Sequence, residues 1–269
     1  MNTILNYYAL SNTDYLHPKG KKATSFLLKI LDCQPNENIL EIGFGTGATI
    51  VFAATVYKKT NFYGIELNEL MFEKALSRIA FCNVKKIHLK LNKNITKTSF
   101  ADNFFDKIYA ESVIAIQEGE NLELLIKEIY RILKPNGKLV FNEGIWINSF
   151  SISEIRKMND FCKFKFGIIQ ANEKYPYIDD WKNLLEKNNF TIRAILNLDE
   201  IENLNKIKHP FLNNLISKAF TIKGKIASKI KLSNWKQDLA YKKDISSIGE
   251  RVKIKYLQGY LIDCKKKIN

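Results

Sequence analysis

Three glycines at alternate positions, Gly43, Gly45 and Gly47, follow a short apolar run in the stretch ILEIGFGTGAT. Because glycine has no side chain, the backbone N–H groups of such a turn and of the helix after it can approach a ligand closely. Glu66 follows about twenty residues later, the spacing of a carboxylate that binds the hydroxyls of a ribose. These residues fit a nucleotide-containing cofactor, whereas the glycines alone would fit a tight turn between a strand and a helix. They fit a dinucleotide and S-adenosylmethionine (SAM) equally well, since GFGTGA satisfies G-x-G-x-x-G/A.

Elements that could position these residues alternate from Asn38 to Glu143, where short apolar runs are separated by amphipathic segments. This alternation is typical of a parallel α/β sheet. It predicts strands at 39–42, 62–65, 86–91, 106–110 and 138–142, and helices at 48–57, 69–81 and 121–133. Pro135 and Gly137 are expected to end the last of these helices and turn the chain into the fifth strand.

The pattern changes after Gly144. Residues 149–172 carry few strong signals, and a helix is predicted to begin near Asp179 before a strand at 191–197. Residues 201–250 resemble a basic helical segment, and a last strand is predicted at 252–264. Two strands separated by a helical excursion suggest a hairpin interrupted by a lid.

Composition restricts the class of protein. The chain has 269 residues, is 46% hydrophobic and carries a net charge of +14, of which residues 201–269 contribute +11 through sixteen basic and five acidic residues. No apolar run reaches the length of a membrane span, and the first residues lack the apolar core of a signal peptide, so we expect a cytoplasmic protein. The four cysteines are far apart and predict free thiols, with neither a disulfide framework nor a metal site.

Further motifs distinguish between the two cofactors. Glu41 precedes the glycines, giving E-x-G-x-G-x-G, and Asn94 follows the third strand. The stretches SFADNFFDKIYAES and LLIKEIYRILKPNGKLVF come next in the same order. Together these features resemble the class I SAM-dependent methyltransferases, above all the small-molecule branch typified by the ubiquinone and menaquinone biosynthesis enzymes. The resemblance covers residues 15–145 well.

The resemblance implies a Rossmann-like fold with seven mostly parallel strands in the order 3-2-1-4-5-7-6, strand seven being antiparallel. A helical N-terminal cap would occupy residues 1–36. The SAM-binding core would occupy residues 37–200, with a cap insertion at about 145–178. Residues 201–250 would form the basic helical lid, and residues 251–269 would supply the final strand.

The resemblance also implies a set of cofactor-binding residues. Glu41 and the loop Gly43, Phe44, Gly45 and Gly47 would hold the methionyl part of SAM, although the family often has Cys or another small residue at Phe44. Glu66 would bind both ribose hydroxyls. The residues expected around the adenine are Leu67, Asn94 and Ile95.

Three residues are candidates for assisting methyl transfer. Glu111 and Glu143 end the fourth and fifth strands and, if these strands are neighbours, face the same cleft. Related-looking enzymes that methylate isoprenoid and sterol carbons carry an acid at the position of Glu111, which would stabilise positive charge or accept a proton. Glu111 could instead orient the SAM ammonium group, and Glu143 could be a polar strand end at the surface. His17 could reach the site as a base or ligand, or serve a structural role.

The basic segment at residues 201–250 is compatible with several partners. Leu212, Leu215, Ala219, Ile222, Ile226 and Ile230 share one helical face flanked by lysines. We expect this face to pack on the domain. A basic amphipathic helix can also cover a hydrophobic acceptor, rest on an anionic membrane or meet a polyanion.

The sequence therefore predicts SAM-dependent methyl transfer to a small, partly hydrophobic metabolite, at carbon, oxygen or nitrogen. The stretch ESVIA after strand four lacks the proline and the aromatic residue with which base-methylating enzymes stack a flipped base, which disfavours nucleic acid. An RNA methyltransferase of the same fold and a non-catalytic SAM-binding relative remain the alternatives.

Overall fold

The computed structural model describes residues 4–201, 207–230, 240, 243 and 255–268. Its sheet has seven strands in the order β3-β2-β1-β4-β5-β7-β6, as predicted. The strands are β1 (Asn38–Ile42), β2 (Asn61–Glu66), β3 (Ile87–Leu91), β4 (Phe105–Glu111), β5 (Leu133–Trp146), β6 (Phe190–Asn197) and β7 (Leu257–Lys266). The first five pair in parallel, and β7 pairs antiparallel with both β5 and β6. The predicted antiparallel last strand is therefore confirmed.

Eight helices accompany this sheet in the described residues. They are α1 (Ile4–Leu10), α2 (Lys21–Leu31), α3 (Ala48–Val56), α4 (Glu69–Cys82), α5 (Asn121–Ile132), α6 (Ile152–Phe166), α7 (Ile178–Lys187) and α8 (Phe211–Ile230). One apolar core lies on the sheet face covered by α5 and α7, and a second lies on the face covered by α2 and α3. The central strand β1 is apolar on both faces because both are covered.

Helix α6 lies in the region where the sequence gave few signals. It begins with a capping box, in which the Ser151 side chain accepts from the backbone of Glu154 while the Glu154 carboxylate accepts from the backbone of Ser151. Gly167 ends the helix in the left-handed conformation, at φ 75°. Both signals are visible in the sequence, although the weak apolar period between them conceals the helix.

The predicted turn between α5 and β5 is an irregularity within the strand. Pairing between β4 and β5 shifts from Phe105–Leu133 to Lys107–Lys138, so four residues of β5 stand against one of β4. Asn136 in the middle has a φ of 61°. The strand consequently begins five residues before the predicted Lys138.

Helix α8 corrects the expectation for the basic segment. The apolar face expected to pack on the domain is exposed: Leu212 is 67% exposed, Ile222 56% and Ile226 58%. The face that packs carries Ser217 and Thr221, because it lies on the buried guanidinium of Arg78, which needs oxygen acceptors. The side chain of Ile230 and most of residues 231–254 lie outside the described residues.

The expected lid over the acceptor is also wrong for α8. The helix lies on α4 and α1, where the Asn12 side chain donates to the Phe220 carbonyl at 3.0 Å. Gly224 permits this approach, since a Cβ there would lie 2.3 Å from Asn12 Cγ. No helix among the described residues is long and apolar enough to cross a bilayer.

Candidate functional site

A cavity of about 620 Å³ opens at the carboxyl ends of the parallel strands, where open α/β sheets bind their ligands. Its floor consists of the residues that end β1, β2, β4 and β5 or follow them. Its cover consists of α1, residues 13–18, residues 168–170 and Leu257 of β7. The volume lies within the range usual for small-molecule sites.

The glycine loop after β1 is packed closely against its neighbours. A Cβ on Gly43 would lie 2.2 Å from a methyl group of Val113, and one on Gly47 would lie 3.0 Å from the Cβ of Ala75. Gly45 has room for a Cβ, with Met71 at 3.9 Å, and its N–H donates to the carboxylate of Glu66 at 2.9 Å. Gly43 and Gly47 therefore allow close packing of the protein, and Gly45 faces the cavity.

Glu66 ends β2 and is fixed by backbone hydrogen bonds. Besides Gly45, the N–H groups of Leu67 and Asn68 donate to its other oxygen, each at 2.9 Å. Burial raises the pKa of this carboxyl, and the three N–H groups oppose that rise. The result is a carboxylate held at the cavity wall beside the glycine loop.

Glu41 lies at the floor of the cavity and is 3% exposed. It pairs in register with Tyr109 on β4, whose hydroxyl donates to its carboxylate at 2.8 Å. Burial raises the pKa of Glu41 well above its usual value, opposed by the Tyr109 bond. Phe44 is buried against Phe72, with ring centroids 6.2 Å apart, and also lines the cavity.

The residues expected around an adenine differ in position. Leu67 is 42% exposed and Ile95 is buried, and both line the cavity. Asn94 does not line it: its side chain is exposed, and its Oδ1 accepts from the N–H and hydroxyl of Thr96. The Asn94 side chain therefore stabilises the turn from residue 94 to 96.

Glu111 and His17 meet inside the cavity, although they are 94 positions apart in the chain. The His17 Nε2 lies 3.4 Å from Glu111 Oε1, and each side chain is 4% exposed. The hydroxyls of Thr24 and Thr49 donate to the Glu111 carboxylate at 3.0 and 2.9 Å. This carboxylate is therefore held on three sides.

Polar contacts link His17 to Asn142 on one side and to Glu111 on the other. The side-chain nitrogen of Asn142 lies 3.0 Å from Nδ1 and donates to the Pro18 carbonyl at 3.3 Å, and Nδ1 itself lies 3.3 Å from that carbonyl. Nε2 lies 3.0 Å from the Thr24 hydroxyl, which donates to Glu111. Asn142 lies opposite Glu111 in the β4–β5 register, so these contacts span two neighbouring strands.

Glu143 lines the same cavity but has other partners. Its carboxylate accepts from the N–H groups of Val113, Ile114 and Ala115 at 3.0, 2.9 and 3.2 Å. It is fully buried, so the alternative of a polar strand end at the surface is wrong. Burial raises the pKa of Glu143 to about 7, opposed by the three N–H groups. Glu143 thus holds the loop after β4 against the end of β5.

The rest of the wall is apolar or carries uncharged polar groups. Tyr8, Tyr15, Leu16, Ile116, Gln117, Ile168, Ile169, Gln170 and Leu257 line this part. Four carboxylates line the cavity as a whole, whereas none of the described residues that line it is a lysine or an arginine. The described lining is therefore acidic and without a basic side chain, while burial raises the pKa of Glu41, Glu66 and Glu143 and so disfavours their charged forms.

Comparisons with known proteins agree with this geometry. A family described as a methyltransferase domain matches residues 39–137. Phosphoethanolamine N-methyltransferase of Plasmodium falciparum is 26% identical over 208 residues, which cover 77% of this chain and 74% of that protein. Demethylmenaquinone methyltransferase of Bacillus cereus is 26% identical over 141 residues, covering 52% and 54%.

A solved structure, Haemonchus contortus phosphoethanolamine N-methyltransferase 2 in complex with SAM, superposes with a TM-score of 0.67. It is 18% identical, and the match covers 98% of this chain and 57% of that one, which shows the shared fold. Residues 39–137 thus match a methyltransferase domain, and the relatives named above are methyltransferases. The resemblance found in the sequence is thereby confirmed.

Several residues of the methyltransferase site lack a motif in the sequence. Thr24 lies within α2, Asn142 within β5 and Tyr109 within β4, each at a position that an apolar residue could occupy. Polar residues inside apolar strands, as in KIYAES and LVFNEG, were the available signal for Tyr109 and Asn142. Nothing local distinguishes Thr24.

The other reactive side chains of the methyltransferase lie apart from the cavity. His209 stacks on Phe52 with ring centroids 4.2 Å apart, and burial lowers the pKa of its imidazole to about 4. His88 stacks on Tyr63 at 4.9 Å. All four cysteines are buried and unpaired. In the part of the chain that the structure describes, no three His, Cys, Asp or Glu residues form a metal-binding group.

Proposed function

We propose that the methyltransferase binds SAM in this cavity and transfers its methyl group to a small, partly hydrophobic acceptor. The observation that carries the proposal is the continuity of the cavity. One space runs from the glycine loop and Glu66 to Glu111 and His17, and on to an apolar wall. A cofactor and an acceptor can therefore lie end to end within it, as direct transfer requires.

The residues at the β1–β2 side fit a nucleoside with an amino-acid tail. Glu41 and the loop from Gly43 to Gly47 would hold the methionyl part, and Leu67 and Ile95 would pack on the adenine. Glu66 would bind the ribose. A carboxylate accepts about four hydrogen bonds, and three backbone N–H groups already donate to Glu66. One ribose hydroxyl could therefore use the remaining acceptor position, and the second would replace one of the backbone N–H groups.

When bound, SAM supplies an activated methyl group on its sulfonium sulfur, so the protein mainly aligns the acceptor. Glu111 is the carboxylate that would assist, by stabilising positive charge or by accepting a proton from the acceptor. Thr24 and Thr49 hold it in place, and His17 lies between it and Asn142. In this proposal His17 positions Glu111, and Glu143 positions the loop after β4.

The lining suggests the charge of the acceptor. Phosphoethanolamine, named in the relatives, carries a phosphate, and a buried phosphate requires cations or several N–H donors. In this chain the described lining contains four carboxylates and no lysine or arginine. We therefore propose an acceptor without phosphate, either neutral or carrying an amine. The lack of basic side chains in the same lining disfavours an RNA strand.

Transfer of tritium from methyl-labelled SAM tests these statements. We expect label in a low-molecular-weight fraction of a cell extract, and the same amount when that extract is first treated with phosphatase. Loss of label after phosphatase treatment would contradict the acceptor class while leaving the enzyme activity intact.

Two further outcomes would contradict the proposal itself. Label in total RNA with none in the small-molecule fraction would favour the RNA methyltransferase. Binding of S-adenosylhomocysteine without any transfer would favour a non-catalytic relative. Fractionation of cells tests the expected cytoplasmic location separately.

A further inference from the structure

Helix α8 carries two faces of opposite chemistry, and the apolar one points away from the domain. We define the outward face by Phe211, Leu212, Leu215, Ile222 and Ile226, which are 77, 67, 46, 56 and 58% exposed. The inward face carries Ser217 and Thr221, each 5% exposed. A helix that contributes its apolar stripe to a core shows the reverse arrangement.

Helix α8 cannot turn its outward face toward the domain without losing the polar contacts that Ser217 and Thr221 make with Arg78. Arg78 of α4 is fully buried, and its guanidinium donates to the Ser217 hydroxyl at 3.0 Å and to the Thr221 hydroxyl at 3.2 Å. The ring of Phe220 lies 4.8 Å from the same guanidinium. Rotation of α8 would take the Ser217 and Thr221 acceptors from this buried cation and leave it only those of Thr46 and Asn12, which is unfavourable. The exposure is therefore built into the fold.

Cations border the outward face on both sides. At about 3.6 residues per turn, Lys218 and Lys225 lie along one edge and Lys223 along the other, with Lys229 in line with the apolar residues. No acidic residue occurs between 211 and 230. An apolar stripe flanked by lysines is typical of helices that lie in the surface of an anionic bilayer.

The apolar surface continues beyond α8. Phe81 of α4 is 44% exposed, and its ring lies 5.6 Å from that of Phe220. Lys223 Nζ lies 5.9 Å from the centroid of the Phe81 ring. An exposed apolar patch spread over two helices with a cationic border marks an interaction surface.

We propose that the outward face of α8 docks the methyltransferase on an anionic lipid membrane. Charge complementarity favours this occupant over others. Two copies joined through this face would bring their lysines together with no acid from either α8, which like-charge repulsion disfavours. RNA would use the lysines, but its phosphates would gain nothing from Leu215, Ile222 and Ile226.

Co-sedimentation of the full-length protein with vesicles tests this surface. We expect the protein to bind vesicles of phosphatidylcholine and phosphatidylglycerol at least about tenfold more tightly than vesicles of phosphatidylcholine alone. Each lysine near an anionic surface strengthens binding about fivefold, so K218Q/K225Q/K229Q should weaken it about a hundredfold at low salt.

The apolar contribution needs its own variant and a matched control. L215S/I222S/I226S should lose vesicle binding by at least about tenfold while its melting temperature is unchanged, because these side chains are exposed. The control is Phe164→Ser on α6, since Phe164 is 80% exposed on a different helix. This variant should bind like the wild type.

Four results would overturn the docking surface. The wild type could fail to bind anionic vesicles, or either triple variant could bind them as the wild type does. L215S/I222S/I226S could dissociate a dimer seen by light scattering, which would assign the face to a second copy. An RNA oligonucleotide could bind and be lost with the lysines but not with the apolar residues. None of these measurements depends on methyl transfer, so failure here is distinct from failure of the proposed function.

Discussion

The two halves of the cavity are built in different ways. The half beside β1 and β2 comes from one stretch of chain: Gly43, Gly45 and Glu66 lie within 24 residues, and Gly45 donates directly to Glu66. The half beside β4 and β5 is assembled from distant segments, with Thr24 and His17 from before the sheet, Glu111 and Asn142 from two strands, and Leu257 from the last strand.

This difference separates recognition of the proposed cofactor from recognition of the acceptor. Contacts within a short stretch are visible in the sequence as a motif, because the residues that make them lie close together at a fixed spacing. Contacts between distant segments leave isolated polar residues whose meaning depends on the fold. The first half is expected to govern SAM affinity, and the second to govern turnover and the choice of acceptor.

Replacing Glu111 should give the largest difference between the effect on turnover and the effect on SAM affinity. Glu111→Gln keeps the size of the side chain but removes the charge, so turnover should fall about a hundredfold while SAM affinity changes less than about threefold. Steady-state kinetics and calorimetry measure the two quantities. The matched control is Glu118→Gln, whose side chain is 49% exposed outside the cavity and which should behave like the wild type. Equal loss of turnover and affinity would remove the catalytic role.

Replacing Glu66 should show the opposite division. Glu66→Gln removes a charged acceptor of ribose hydroxyls, which corresponds to a ten- to hundredfold loss of SAM affinity, with turnover at saturating SAM nearly unchanged. The exposed Glu69→Gln on α4 serves as the control. A variant that binds SAM normally but turns over slowly would contradict the assignment of the halves.

Glu143 should affect stability with a characteristic dependence on pH. Its pKa in the folded protein is raised to about 7 from the usual 4.5, so the folded state binds more protons than the unfolded state between these values. This contribution to the free energy of unfolding is fully present below pH about 4.5 and is lost as pH rises through about 7.

The size of this effect follows from the shift in the pKa of Glu143. It amounts to on the order of 3 kcal/mol, so the wild type should lose that much stability relative to Glu143→Gln across the interval. Urea unfolding at several pH values measures the difference. A difference between the two proteins that does not vary with pH would show that this carboxyl titrates normally.

Asn94 should give the smallest effect. Its side chain is exposed and bonded to Thr96, so Asn94→Ala should change SAM affinity less than about threefold. Ile95→Ala, beside it in the wall, should lose more, since burial of an apolar side chain against the adenine is removed. A tenfold loss for Asn94→Ala would instead favour the adenine bond that the resemblance implies.

The sequence predicted the sheet and the cofactor loop because both depend on local patterns. Apolar runs of strand length and the helix signals around them gave the strands β1 to β5, the helices α3, α4 and α5 and the position of Glu66, whereas the strand order was implied by the resemblance to the methyltransferases. Helix α6 was missed because Ser151 and Gly167 delimit a stretch of weak apolar period.

Other features depend on partners that the sequence does not reveal. The apolar period of α8 predicted the wrong packed face, since the buried Arg78 of another helix selects the polar side. The surroundings of His17 depend on Thr24 and Asn142, which meet only after folding. Burial of Glu143 depends on the loop after β4 turning back over β5.

In the proposed function the glycine loop and Glu66 hold the amino-acid tail and ribose of SAM, and every other assignment depends on this. Titration calorimetry of the full-length protein with S-adenosylhomocysteine and, separately, with NADH tests this claim directly. We expect one-to-one binding of S-adenosylhomocysteine, weakened in Glu66→Gln, and no binding of NADH. Binding of NADH without uptake of S-adenosylhomocysteine would contradict it.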